Sequence, residues 1–97
     1  MKKEEMIPVN QYCTHYNVEV TFIRSLQEAG LVRITSLEDE NYLPYEELGS
    51  LEKFIRLHHD LEINPQGIEA IYHMLERMEA MRREVANLKN RLRIYEQ

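Results

Sequence analysis

The chain has 97 residues, of which 43% are hydrophobic and 30% charged, and a formal net charge of −5. That length fits one small domain with or without an extension, and three Gly with three Pro exclude a low-complexity chain. The acidic balance points away from nucleic acid and anionic membranes, and a single cysteine, Cys13, leaves no internal disulfide, as expected of a cytoplasmic protein.

The first residues, MKKEEMIPV, carry no apolar run after the lysines, so no signal peptide is expected. No stretch approaches the ~18 apolar residues of a membrane span. Asn10 is a good N-cap, and residues 11–16 read as a short first helix. Asn17 suits a turn. Residues 19–29, with Val18, Phe22, Ile23 and Leu26 at helical spacing, read as a second helix, ended by a left-handed Gly30. Residues 31–35 (LVRIT) read as a β-strand. Residues 36–40 are a polar loop, and Asn41, Tyr42 and Leu43 return as a second strand before Pro44. This hairpin is a wing. Leu48, Leu51, Phe54, Ile55, His58 and Leu61 set a third helix, broken at Glu62–Ile63. Asn64 and Pro65 then form a strong helix start, and no breaker follows Gly67 up to about Tyr95. Thirty residues at ~1.5 Å each make a rod of roughly 45 Å, too long for so small a domain to cover.

The rod carries a seam. Ile71, Met74, Met78, Met81, Val85, Leu88, Leu92 and Tyr95 alternate three and four apart, which is the a/d pattern of a short coiled coil. Two readings are open: the seam folds back on its own domain, or it pairs two chains. The seam outlasts the domain, so a homodimer is expected. A parallel pair would set Arg77 against Arg82 of the other chain, which favours an antiparallel one.

Residues 7–32 are patterned like a helix-turn-helix that reads DNA, yet the charge is wrong for that task. Residues 1–50 hold four basic side chains (Lys2, Lys3, Arg24, Arg33) against nine acidic ones, and so carry the whole net charge. Residues 51–97 balance. Non-specific DNA affinity comes largely from Lys and Arg neutralising phosphates.

The segment IPVNQYCTHYNVEVTFIRSLQEAGLV resembles the opening of the MerR family of bacterial regulators: short helix, turn before Val18, second helix, then Gly-Leu into a wing. Arg24 falls where that family places an arginine in its recognition helix. Ser25–Leu26 replace its paired aromatics, and Leu43–Pro44–Tyr45 replaces its wing Arg-x-Tyr, so the phosphate-binding arginine is gone. The second half, through LHHDLEI at 57–63, Gly67–Ile68, LERM at 75–78 and EVANLKNRL at 84–92, is similar to the chaperone-modulator CbpM family. The resemblance implies a mainly α fold: a MerR-like winged helix-turn-helix with a small β-hairpin wing and a long C-terminal coiled-coil helix. Residues 1–63 would form the winged region with the third helix, and residues 64–97 the dimerisation helix. It also implies a non-enzymatic adaptor that binds the J-domain of a DnaJ/CbpA-like co-chaperone and inhibits its action on Hsp70. The alternative is a MerR-like DNA-binding transcriptional regulator.

J-domains, as a family, present a basic helix to Hsp70, and an acidic surface fits it. Partner-binding candidates are therefore Glu28, Glu38, Asp39, Glu40, Glu46 and Glu47. The run at 38–40 also reads simply as a soluble turn, and Glu46–Glu47 as a solvated face. Cys13-x-His15 and the pair His58–His59 invite a metal reading, but zinc sites need three or four ligands at recognisable spacing. Cys13 reads better as a small core residue and His58 as a half-buried helix residue. No nucleophile arrangement and no glycine-rich phosphate loop occurs. Neither enzymatic activity, a metal nor a cofactor is expected.

Overall fold

The computed structural model describes residues 5–96. In chain order it contains β1 (Met6–Pro8), α1 (Val9–Tyr16), α2 (Val20–Glu28), β2 (Thr35–Leu37), β3 (Glu40–Pro44), a 3-10 turn (Tyr45–Glu47), α3 (Leu48–Leu61) and α4 (Pro65–Glu96). It is mostly helical, with one small antiparallel sheet and a long last helix, as expected.

Both helix ends in the helix-turn-helix unit close by backbone geometry. Asn17 sits at φ 55°, and the Val18 amide reaches back to the Cys13 carbonyl at 3.0 Å. Asn tolerates this left-handed state better than most residues. Gly30, at φ 80°, ends α2: its amide donates to Gln27 and that of Leu31 to Leu26. These two bonds satisfy carbonyls the helix leaves open, in the Schellman arrangement.

The sheet departs from the sequence expectation. Its order is β1-β3-β2, so β3 is central. Ile7 pairs with Leu43, and Ser36 with Asn41. β1 was not expected, because three residues ending in proline carry no periodic signal and their partner lies far along the chain. Nor do residues 31–34 form a strand. Leu31 and Val32 are buried and fill the core from an irregular segment, and the strand starts only at Thr35. The polar loop at 36–40 shrinks to a two-residue turn, Glu38 and Asp39, both at positive φ. That is the backbone a tight hairpin turn demands, because its twist matches the strands.

The core joins every element except β2 and the 3-10 turn. Tyr12, Ile23, Leu26, Leu43, Leu51 and Ile68 are all within 2% of full burial. Of α4, only Ile68 is buried. Asn64 caps that helix: its Oδ1 accepts the Gly67 amide at 2.8 Å, and its carbonyl accepts the Ile68 amide at 3.0 Å. A Cβ added at Gly67 would sit 2.7 Å from the Ile63 side chain, so the cap and the preceding turn are tightly fitted. Beyond this first stretch α4 leaves the domain, and the molecule extends over 61 × 33 × 20 Å.

Asn64→Ala removes the cap while keeping the chain path. We expect a loss of about 1 kcal/mol, seen as a fall of roughly 4–8 °C in a thermal melt followed by circular dichroism. Gln66→Ala, at an exposed neighbour, should stay within about 0.5 kcal/mol of the parent.

Candidate interaction surfaces

Three surfaces present themselves, and each is set by a different element. The first is the outer face of α2, where Phe22, Ile23 and Leu26 turn inward and leave Thr21, Arg24, Gln27 and Glu28 exposed. The Thr21 hydroxyl donates to the Glu19 carboxylate at 3.1 Å. Behind this helix, the His58 ring stacks on Phe22 at 4.3 Å, and its Nδ1–H donates to the Ile63 carbonyl at 2.9 Å. His58 therefore fixes the end of α3 against α2, which gives it a structural role.

The second surface is the wing and the turn behind it. Glu38 and Asp39 form the hairpin tip, and Glu40 opens β3; all three are exposed. Glu46 and Glu47 lie elsewhere, in the 3-10 turn, and both converge on Arg33. Glu47 Oε1 accepts the Arg33 backbone amide at 2.7 Å, and its Oε2 lies 3.6 Å from the guanidinium. Glu46 Oε1 accepts from the same guanidinium at 3.0 Å. The two carboxylates are thus a clamp across the irregular segment, rather than only a solvated face. Glu28, at the end of α2, lines a small hollow with Pro65, Gln66 and Glu69. The six acidic candidates therefore fall at three places: the end of α2, the hairpin tip and the Arg33 clamp.

The third surface is apolar. Met74, Met78, Met81, Val85, Leu88, Leu92 and Tyr95 are each more than half exposed, and Ile71 is half-buried. The reading in which the seam folds back on its own domain is therefore not what the chain does. At the base of the rod, a hollow of about 360 Å³ between α3 and α4 is lined chiefly by Phe54, Leu57, Ile68, Ile71, Tyr72 and Leu75. The sequence reading missed it. Its signal was present as Leu75, an apolar residue one step off the strict seam, and Leu57, one step off the α3 stripe.

The metal candidates do not come together. Cys13 is buried in the core, where burial pushes its thiol pKa up, while His15 is exposed on the same helix. Among the described residues, no group of three or more His, Cys, Asp or Glu is placed to hold a metal ion. Tyr12 is buried beside Tyr16, and its hydroxyl has no hydrogen-bond partner among the described residues. Burial is the main cause that raises its pKa well above the ordinary phenol value. No helix among them is long and apolar enough to cross a membrane.

The clamp generates a contrast. Glu47→Ala removes a charge-assisted bond to a backbone amide and should cost about 1 kcal/mol. Glu46→Ala removes only an exposed ion pair and should cost less than about 0.5 kcal/mol. Urea titration of the two variants, side by side, measures the difference.

Residues 7–90 match the family model described as MerR HTH family regulatory protein. No curated protein and no solved structure matches the chain.

Proposed function

The chain belongs to the MerR HTH family of regulatory proteins, and from that premise we propose that it is a non-enzymatic cytoplasmic adaptor, of the CbpM type, that binds the J-domain of a DnaJ/CbpA-like co-chaperone and blocks its action on Hsp70. The observation that carries this reading is the charge of the wing. Its tip is Glu38–Asp39–Glu40, and Arg33, two residues before β2 at the base of the wing, is paired with Glu46 and Glu47. A DNA-binding wing needs free cations to neutralise phosphate. This wing offers the opposite charge, which suits a basic protein surface. The partner itself is supplied by the resemblance of residues 57–92 to the CbpM family. The contact would be carried by the acidic tip, with Glu28, Glu46 and Glu47 flanking it. Complementary charge raises the encounter rate, while a few buried apolar contacts set the lifetime of the complex.

A second reading is a DNA-binding regulator. The family match favours it, and so does Arg24, exposed on α2 where the family places an arginine in its recognition helix. Titration of labelled genomic fragments near physiological salt separates the two. The adaptor reading expects negligible affinity; sequence-specific binding at micromolar concentration or tighter would establish the regulator instead.

The adaptor reading has its own measurement. The parent chain is passed over immobilised J-domain at low and moderate salt, alongside an assay of J-domain-stimulated Hsp70 ATPase. Glu38→Lys, Asp39→Lys and Glu40→Lys together should slow association roughly tenfold at low salt and flatten the salt dependence. Dissociation should change less. The far-ultraviolet circular dichroism should match the parent, since all three positions are exposed. A triple variant that binds as fast as the parent removes the wing tip from the interface. A parent that neither binds nor inhibits ends the adaptor reading.

The chain is further read as a homodimer held by Ile71, Met74, Met78, Met81, Val85, Leu88 and Leu92. A standard interface buries about 800 Å² per partner, and a row of large side chains, most of them more than half exposed, offers surface on that scale. Val85→Asp with Leu88→Asp would place unpaired charges in the seam. Sedimentation should then report a monomer where the parent is a dimer. An unchanged mass would remove the seam from any interface.

A further inference from the structure

We propose that Tyr45, at the foot of the wing, is the apolar anchor of the partner site, its ring covered by the stem of an arginine or lysine on the basic protein surface that the acidic wing attracts. The inference rests on the adaptor reading above and deepens it, because it names the side chain that sets the lifetime of the complex.

The first argument is exposure. Among the described residues before α4, two large apolar side chains stand exposed: Tyr45, at 54%, and Leu61, at 64%. Tyr45 makes no side-chain hydrogen bond and no ring contact among the described residues. Leu61 ends α3, about 20 Å along that helix from the start that Tyr45 adjoins. Tyr45 is therefore the one of the two that shares a strand with the acidic tip. Tyrosine is also enriched among the few side chains that carry most of the energy of a protein interface.

The second argument is rigidity. Buried Pro44, at φ −59°, fixes the chain just before the ring, and the Leu48 amide donates to the Tyr45 carbonyl just after it. The next two residues, Glu46 and Glu47, are tied to Arg33. The ring is thus held out on an immobile backbone. A tyrosine presented in this way has two side-chain torsions left to order, so covering it costs little entropy.

The third argument is charge and reach. The ring is flanked by Arg33 with two carboxylates, one positive charge against two negative, so its surroundings stay acidic. A cation over a tyrosine face is attracted by the ring itself, and its aliphatic stem covers the apolar part. From Glu40 to Tyr45 the chain runs five steps, roughly 17 Å at ~3.3 Å each. A partner helix of about 11 residues spans that distance. One basic helix can meet the tip and the ring together.

Kinetics on immobilised J-domain separate the ring from the charges. Tyr45→Ala should speed dissociation roughly tenfold and leave association and its salt dependence near those of the parent. Tyr45→Phe keeps the ring and should dissociate as the parent does. Leu61→Ala, the other exposed apolar side chain, should change neither rate. The chain has no tryptophan, so Tyr45→Trp installs a single reporter. Its emission should shift to the blue when a tryptophan-free J-domain is added. If the parent binds but Tyr45→Ala dissociates no faster, or the Tyr45→Trp emission stays put, the anchor is overturned while the adaptor stands. Equal losses in Tyr45→Ala and Leu61→Ala overturn it too. A blue shift with duplex DNA in place of J-domain puts the ring on a nucleic-acid surface and overturns it as well. A parent that binds no J-domain overturns both.

Discussion

The whole molecule turns on how α4 leaves the domain. Four residues decide it. Glu62 adopts a left-handed backbone that ends α3, Ile63 is gripped by His58, Asn64 caps the new helix and Pro65 begins it. Ile68 is then driven fully into the core, and nothing later in α4 is buried. Ile68, with half-buried Tyr72 packed edge-on to Phe54, is anchor enough for a stiff rod, because the backbone hydrogen bonds of a helix are satisfied internally and need no domain beside them. The same anchoring leaves the far end of the rod uncovered, with its apolar seam in water.

A consequence is that the chain is a small domain with a disproportionate apolar surface. Chains of this size bury a limited share of their area on folding and commonly gain from association. The N-terminal core is well filled: helix α2 gives it Phe22, Ile23 and Leu26, and α3 gives it Leu51, Phe54 and Ile55. The stripe on α4 has no such cover within its own chain. Methionines dominate its first half, and their flexible side chains adapt to an opposing helix more readily than branched ones do.

Electrostatics divides the molecule differently. The formal charge lies entirely in the first half of the sequence, yet folding does not spread it evenly. Two carboxylates are drawn onto Arg33 to tie an irregular segment to the start of α3, and three others are gathered at the hairpin tip. The first group serves the fold. In the second, Glu40 accepts from the Tyr42 hydroxyl at 3.5 Å, and Glu38 and Asp39 supply the turn itself.

Much of this was legible in the residues. The helices α2, α3 and α4 were written in apolar spacing, and the ends of α1 and α2 and the start of α4 in Asn17, Gly30 and the Asn64–Pro65 pair, because helical periodicity and capping are local effects. The seam on α4 was legible for the same reason. What the sequence could not determine depended on contacts between distant segments. β1 exists only because β3 lies beside it, and Leu31 and Val32 look like strand but are spent filling the core. Glu46 and Glu47 look like a solvated pair until the fold brings Arg33 to them. The hollow beside Leu75 appears only once α3 and α4 are set at their angle. Local hydrogen bonding and side-chain period thus settle the elements, and tertiary packing alone decides which apolar residues are covered and which charges remain available.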